Sequence, residues 1–373
     1  MKVLVVNTGS SSLKLTVLAD GSAVPVAATH VANWDGSDVK PIAALVESAG
    51  PVDAVGHRVV HGGPELVGPV LLDDAVVQRI GALVHLAPLH QGRALAGITA
   101  AREAVAPDVP QVACFDTAFH DTLPGAAATY ALPEEWRSRW GLRRYGFHGL
   151  SHAHAVGRAA ALVGRPVDDP ALRVVSCHLG AGASLCAARG GRSVDTTMGF
   201  TPLEGLVMAT RAGSVDPGMV LWLITDGGLA PEEVRDGLEH RSGLTGLVGT
   251  GDLAAIVVEA DEGDPAAQLA LDVYTRALSQ AAAAMTVSLG GLDVLVFTGG
   301  VGEHAPVVRA LAAERLAPLG VVVDPASNDA IPDPVAASPD RIISPVNAPV
   351  TTVVIEARED LEIFRQVRAV ALS

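Results

Sequence analysis

One plan, stated twice, constrains this chain more than any other feature. From Lys2 to Leu18 a Val/Leu-rich run enters Asn7-Thr8-Gly9-Ser10-Ser11-Ser12 and returns with Leu13, Leu15 and Val17 on one face, which predicts a strand, a small-residue turn and a strand. From Arg173 to Ala187 the plan recurs: Val174-Val175 leads into His178-Leu179-Gly180-Ala181-Gly182-Ala183, and Ser184 to Ala187 returns. A third strand-like stretch follows each, near Ala23 to Ala28 and near Arg192 to Thr197. Further along, Val112-Ala113-Cys114-Phe115 ends in Asp116-Thr117, and Val294-Leu295-Val296-Phe297 ends in Thr298-Gly299-Gly300, so these two strands are read as partners. The expectation is a duplicated α/β fold, each half opening on a Gly/Ser-rich hairpin. Apolar residues at three- and four-residue steps predict helices over Asp74 to Leu86, Arg93 to Ala104, Ser151 to Leu162, Ala266 to Leu289, Ala305 to Leu316 and Arg358 to Val370.

The 373 residues suffice for two domains. A formal charge of −15 argues against a nucleic-acid or anionic-membrane partner, because both need a basic surface. Cys114, Cys177 and Cys186 have no metal-ligand spacing and suggest no disulfide framework. The apolar run before Asn7 is too short for a secretory segment, and no stretch reaches membrane-span length, so a cytoplasmic protein is expected.

Several segments carry chemistry beyond what folding needs. Small residues at Asn7 to Ser12 offer backbone N–H groups to a phosphate, with Ser12 and Lys14 adding a hydroxyl and a charge; an ordinary hairpin turn is the alternative. His57-Arg58-Val59-Val60-His61-Gly62-Gly63 delivers a guanidinium into a glycine turn, where it could meet a carboxylate or phosphate, while His57 and His61 read as structural or solvated. Asp116 directly follows a buried strand, where a carboxylate orients a nucleophile, holds a metal-bound water, or caps a helix. Arg143 to His152 is dense in polar residues and glycine, with His148 able to donate to a transferring phosphoryl group and Ser151 able to cap the next helix. The long irregular stretch Asp195 to Gly218 carries Arg211, and the glycines of Thr298 to His304 open room at a helix start.

Together these strings resemble the acetate kinase family, which includes propionate kinases, within the acetate-and-sugar-kinase, Hsp70 and actin superfamily. The match runs from Asn7-Thr-Gly-Ser-Ser-Ser-Leu-Lys14 through His57-Arg-Val-Val-His-Gly-Gly63, Phe115-Asp-Thr-Ala-Phe-His120, Tyr145-Gly-Phe-His-Gly149 and Met198-Gly-Phe-Thr-Pro-Leu-Glu-Gly205 to Glu359-Asp360-Leu361. The resemblance implies a two-domain duplicated ribonuclease-H-like (actin-like ATPase) fold with an interdomain cleft, divided as 1–120 plus 359–373 and 121–358, and a homodimer. It implies Mg²⁺- or Mn²⁺-dependent phosphoryl transfer between ATP and acetate or a similar short-chain carboxylate. By that similarity Arg58, Asp116, His148 and Arg211 are catalytic, and Asn7 and Glu359, with Asp116 as an orienting or metal-ordering group, order the metal. Val60, Leu89, His90, Phe147 and Pro202, with Arg58, hold the acid. Ser10, Ser12, Lys14, His178, Gly180 and Gly182, with Asn7, approach the phosphates, and Asp252, Gly300, Val301, Gly302 and His304 the nucleoside.

The chain departs from the family pattern at Gln91-Gly92 after His90, where Asn-Pro is common, and at Ala181, Ala254 and His304, where Asn, Arg and Asn are common. All but the first of these surround the nucleotide. Alternatives are therefore a propionate or butyrate kinase, a kinase using pyrophosphate or another nucleotide, and, more distantly, an actin- or Hsp70-like ATPase switch.

Overall fold

The computed structural model describes residues 1–9, 12–36, 38–331 and 339–372, and these form two compact units: 1–121 with 147–154 and 358–373, and 122–146 with 155–357. The first unit is built on six strands, β1 (Lys2–Thr8), β2 (Ser12–Ala19), β3 (Ala27–Ala32), β4 (Ala54–Val59), β5 (Val70–Leu71) and β6 (Gln111–Phe115), in the order β3-β2-β1-β4-β6-β5. β1, β2 and β3 are antiparallel neighbours, β4 runs parallel to β1, and β6 parallel to β4.

Both faces of β1 are buried, and successive residues point to opposite faces. Leu4 and Val6 join a cluster with Ile42 and Ala101, whereas Val3 and Val5 pack with Ile363 and Val367 of the helix Glu359–Ala371. That C-terminal helix lies so close to β4 that a Cβ on Gly56 would come within 2.5 Å of the Ile363 Cγ2, so only glycine lets it seat.

The second unit repeats the scheme with β7 (Arg173–Leu179), β8 (Ala183–Arg189), β9 (Arg192–Thr196), β10 (Val294–Thr298), β11 (Arg341–Ile342) and β12 (Thr351–Val354). Their order is β9-β8-β7-β10-β12-β11, with β10 parallel to β7 and β12 parallel to β10. Each sheet also ends on a short strand antiparallel to its neighbour. The helix Pro265–Leu289 covers one face of this sheet; Asp264 caps it by accepting from the backbone of Ala266 and Ala267, and Gly290 ends it in a left-handed conformation.

The duplication is as expected, but one correspondence is not. Strand order makes β10 the equivalent of β4, and β12 the equivalent of β6, so the segment ending in Thr298-Gly299-Gly300 answers to the Arg58 strand and not to the Asp116 strand. β6 and β10 are both five-residue strands buried at every position, so their residue patterns match although their places in the sheets differ.

No helix among the described residues is long and apolar enough to cross a membrane, and Cys114, Cys177 and Cys186 are free and buried.

Candidate active site

In the first unit the carboxyl ends of three parallel strands deliver polar side chains to one place. Arg58 leaves β4 and donates to Asp116, just beyond β6, through Nε to Oδ1 and Oδ2 at 3.2 and 3.0 Å and through Nη2 to Oδ2 at 2.7 Å. Its Nη1 donates to Asn7 Oδ1 on β1 at 3.2 Å and lies 3.6 Å from Glu359 Oε2, which accepts from Asn7 Nδ2 at 2.9 Å. Four residues from four segments therefore share one hydrogen-bonded web.

Burial opposes charge on both members of the central pair. It pushes the Asp116 carboxyl, 1% exposed, up to about 6 against the pull of Arg58, so the carboxylate is ionised at neutral pH. For Arg58 burial is outweighed by Asp116 and Glu359, which hold the guanidinium pKa above its ordinary value. All of Asp116's contacts with Arg58 are charge-assisted, and the two-nitrogen geometry fixes the guanidinium plane.

The turn after β4 is clamped from two sides. Gln91, fully buried, donates from Nε2 to the His61 carbonyl at 2.7 Å and accepts from the His61 N–H at 3.3 Å, as a neighbouring strand would. Gly62 N donates to Thr117 Oγ1 at 3.0 Å. His57 and His61 are both buried; burial lowers each to about 4, so they are neutral, with His57 Nε2 2.8 Å from Gln111 Oε1 and His61 Nδ1 accepting from Gly63 N.

His148 is half-buried and has φ of 56°, one of two non-glycine residues with positive φ among those described; the other is Asn33. Positive φ is uncommon for any residue with a β-carbon, so the imidazole is kept at a backbone cost. Ser151 falls inside the helix Gly149–Leu162 and does not cap it.

In the second unit, residues 197–216 form no helix or strand but are tightly held. Arg144 donates to the carbonyls of Thr197 and Met198 and pairs with Glu204 at 2.7 Å, while Tyr130 donates to Glu204 at 2.5 Å and accepts from Phe200 N. Met208 N donates to the Arg211 carbonyl, and Arg211 Nη1 reaches the Pro202 carbonyl at 3.4 Å. Burial pulls the pKa of Arg211 below its usual value, with Glu239 opposing.

A cavity of about 470 Å³ lies wholly within this unit, lined by the β7–β8 turn at Gly180 and Ala181, by Asp252 to Ala254, by Tyr274 and by Gly300, Val301 and His304. Asp252 caps the helix Leu253–Asp261, accepting from Ala254 N, so its side chain is already engaged. The strand-to-helix turn at Thr298-Gly299 requires glycine: φ at Gly299 is 79°, and a Cβ there would meet the Leu179 carbonyl oxygen at 2.6 Å.

Of the residues singled out in the sequence, Asn7, Arg58, Asp116 and Glu359 come together in the first unit, and Gly180, Asp252, Gly300, Val301 and His304 line the cavity of the second. Lys14 faces solvent on β2 opposite Asn7, and Ser12 begins that strand, its carbonyl accepting from Gly9 N. His178, near the end of β7, and Gly182, in the β7–β8 turn, are outside the cavity lining, and Gly302 is buried within its helix. Val60 and Phe147 are buried, and His90 and Pro202 half-buried. Ser10 and the Leu89 side chain lie outside the described residues. The Tyr130–Glu204–Arg144 brace, the Gln91 clamp and the apolar cavity walls at Leu244, Val257 and Val307 were not foreseen; isolated Tyr, Gln and Val residues carry no local pattern that marks them.

The model of the Acetokinase family matches residues 40–365. The chain belongs to the acetokinase family. An acetate kinase of Leifsonia xyli subsp. xyli is 46% identical over 96% of this chain and 86% of that protein, and one of Deinococcus radiodurans is 43% identical over 98% and 97%. Crystal structures tell the same: the acetate kinase of Porphyromonas gingivalis superposes with a TM-score of 0.90 at 31% identity over 99% of each chain. A propionate kinase of Francisella tularensis gives 0.89 at 32% over the same shares. Membership of the acetokinase family makes this protein a phosphotransferase of the acetate kinase type with an α/β fold of two similar domains.

Proposed function

We propose that the protein transfers the γ-phosphoryl group of ATP reversibly to acetate in a Mg²⁺-dependent reaction, giving acetyl phosphate and ADP by direct in-line displacement. The observation that carries this reading is the Arg58 guanidinium, fixed in plane by Asp116 and tied to Asn7 and Glu359 at the ends of three parallel strands. Phosphoryl transfer demands fixed cations where charge spreads over the equatorial oxygens. Arg58 meets that demand from the first unit, Arg211 is the second guanidinium, and His148 donates to the phosphoryl oxygens. A carboxylate nucleophile already carries its charge and needs no general base. Asp116, which takes all its described side-chain bonds from Arg58, accordingly orients and does not accept a proton.

Mg²⁺ favours hard oxygen ligands and is commonly held by one or two carboxylates together with waters and substrate phosphates. Glu359, 16% exposed and accepting from the Asn7 amide nitrogen, and the Asn7 amide oxygen, which accepts from Arg58, offer the oxygens of such a partial set, and among the described residues no cluster of three His, Cys, Asp or Glu forms a full protein cage. These two residues would order the ion, whose contribution is to neutralise charge on the phosphates. The cavity lined by Gly180, Asp252, Gly300 and His304 takes the nucleoside. Val60, Phe147 and His90 of the first unit are assigned to the acyl side, where an apolar wall would admit propionate as a slower substrate.

A second copy of the chain is proposed to cover the helix Pro217–Thr225, which has no buried residue although Leu221 is 63% and Trp222 57% exposed. Three buried free thiols suit a cytoplasmic setting. A coupled assay of ADP formation with a panel of two- to four-carbon acids tests the function: acetate should support the fastest turnover. Equal ATP hydrolysis with and without every acid would contradict it.

A further inference from the structure

We propose that His120 is a positioning residue that locks the His148 imidazole in place through the Phe147 carbonyl, an inference that rests on the reading of His148 as a donor to the phosphoryl oxygens. The φ angle of His148 is 56°, a left-handed conformation that is disfavoured for an L-residue with a β-carbon. Glycine would adopt it freely, so a side chain retained there has to be held. Rotation about φ turns the His148 side chain relative to the plane of the Phe147–His148 peptide, and whatever fixes that plane fixes the imidazole from its N-terminal side.

His120 Nε2 lies 3.0 Å from the Phe147 carbonyl oxygen. A carbonyl only accepts, so the proton sits on Nε2, and burial lowers this histidine to about 4, keeping it neutral at working pH. The ring is itself fixed: it is fully buried, with its edge contacts to Phe119 and His152 at centroid distances of 5.7 and 5.8 Å.

The C-terminal side of His148 is fixed by the same short segment. Gly149 N donates to the Asp116 carbonyl at 2.9 Å, and a Cβ at position 149 would lie 2.1 Å from that oxygen, so the approach admits glycine alone. The His148 carbonyl accepts from His152 N at 2.9 Å. Residues 116–120 thus grip both peptide planes that flank His148, one through a backbone carbonyl and one through a side chain. Asp116 spends its carboxylate on Arg58, so one segment sets two of the groups assigned to the phosphoryl oxygens.

The test is a mutant cycle in the full-length protein. His120→Phe keeps an aromatic ring but has no donor; it should lower kcat by roughly tenfold to a hundredfold, the scale of a small misplacement at a reacting centre, with ATP KM changed less than about twofold. His120→Gln, whose amide can present an N–H to the same carbonyl, should recover most of the loss. In a His148→Ala background His120→Phe should cost nothing further, because its whole effect passes through His148. Losses that multiply in the double variant, or wild-type turnover in a folded His120→Phe protein, would overturn the inference while leaving His148 in its role. Wild-type turnover in His148→Ala would instead remove the reading on which the inference stands.

Discussion

The two sheets share one strand order and differ in what they place at equivalent strand ends. At the ends of β1, β4 and β6 stand Asn7, Arg58 and Asp116, joined in a charged web; at those of β7, β10 and β12 stand His178, Thr298-Gly299 and Ile355-Glu356. The first set fixes a cation. The second, with its glycine turn, borders a cavity walled largely by Ala, Val and Leu. Topology therefore supplies a location in both halves, and the chemistry depends on which side chains a strand end carries. The two halves thus differ in what stands at one topological position, a charged web in the first unit and an apolar cavity in the second.

The sharpest way to break this contrast is to remove the cation. Arg58→Ala should lower kcat at least about a hundredfold, as should Arg211→Ala, and lysine at either position should restore only part because an ammonium lacks the planar two-point contact. Steady-state rates at saturating substrates, read beside a melting curve, check this. Arg58→Ala also leaves the buried Asp116 uncompensated, so a fall in melting temperature is expected with it.

A pH profile sharpens the same point. Asp116 is charged above its pKa of about 6 and neutral below it, so the bond that aims Arg58 is complete at pH 8 and is lost as pH falls through 6. We expect kcat to drop about tenfold per unit below that pH, and Asp116→Asn to be slow throughout with no acid limb centred there. Glu359→Gln should have a smaller effect, raising the Mg²⁺ concentration at half-maximal rate several-fold, because the negative charge is lost while an amide oxygen remains in its place. Val60→Ala is the mildest: a full methylene in a pocket is worth roughly 10- to 200-fold, and trimming one side of the wall relieves only part of that, so the propionate-to-acetate ratio of kcat/KM should rise several-fold. A lowered melting temperature with an unchanged ratio would mark Val60 as core alone.

Much of this was legible before any coordinates. The two hairpins announce themselves because apolar runs stop at Asn7-Thr8-Gly9 and at Gly180-Ala181-Gly182, where small residues must turn. The long helix Pro265–Leu289 follows from unbroken apolar periodicity, bounded by Asp264-Pro265 and Gly290-Gly291. The match of strands between the halves was not legible, because β6 and β10 have the same length and burial and only pairing with neighbours tells them apart. Within the site, Arg58 and Asp116 stood out by their turns, but their bond, and the hold of residues 116–120 on His148, arise from pieces of chain far apart in sequence. Gln91 shows the same limit: it reads as a departure from the family pattern, and its clamp on the His61 backbone appears only in the fold.

Calorimetric titration of ATP into two variants, with kcat measured at saturating ATP, tests the division of labour between the halves most directly. Arg58→Ala should bind ATP within about threefold of wild type yet turn over at least about a hundredfold more slowly, whereas Ala254→Phe, which fills the cavity of the second unit, should weaken ATP binding about tenfold or more and keep kcat near wild type. Weak ATP binding in Arg58→Ala with full affinity in Ala254→Phe would contradict the account.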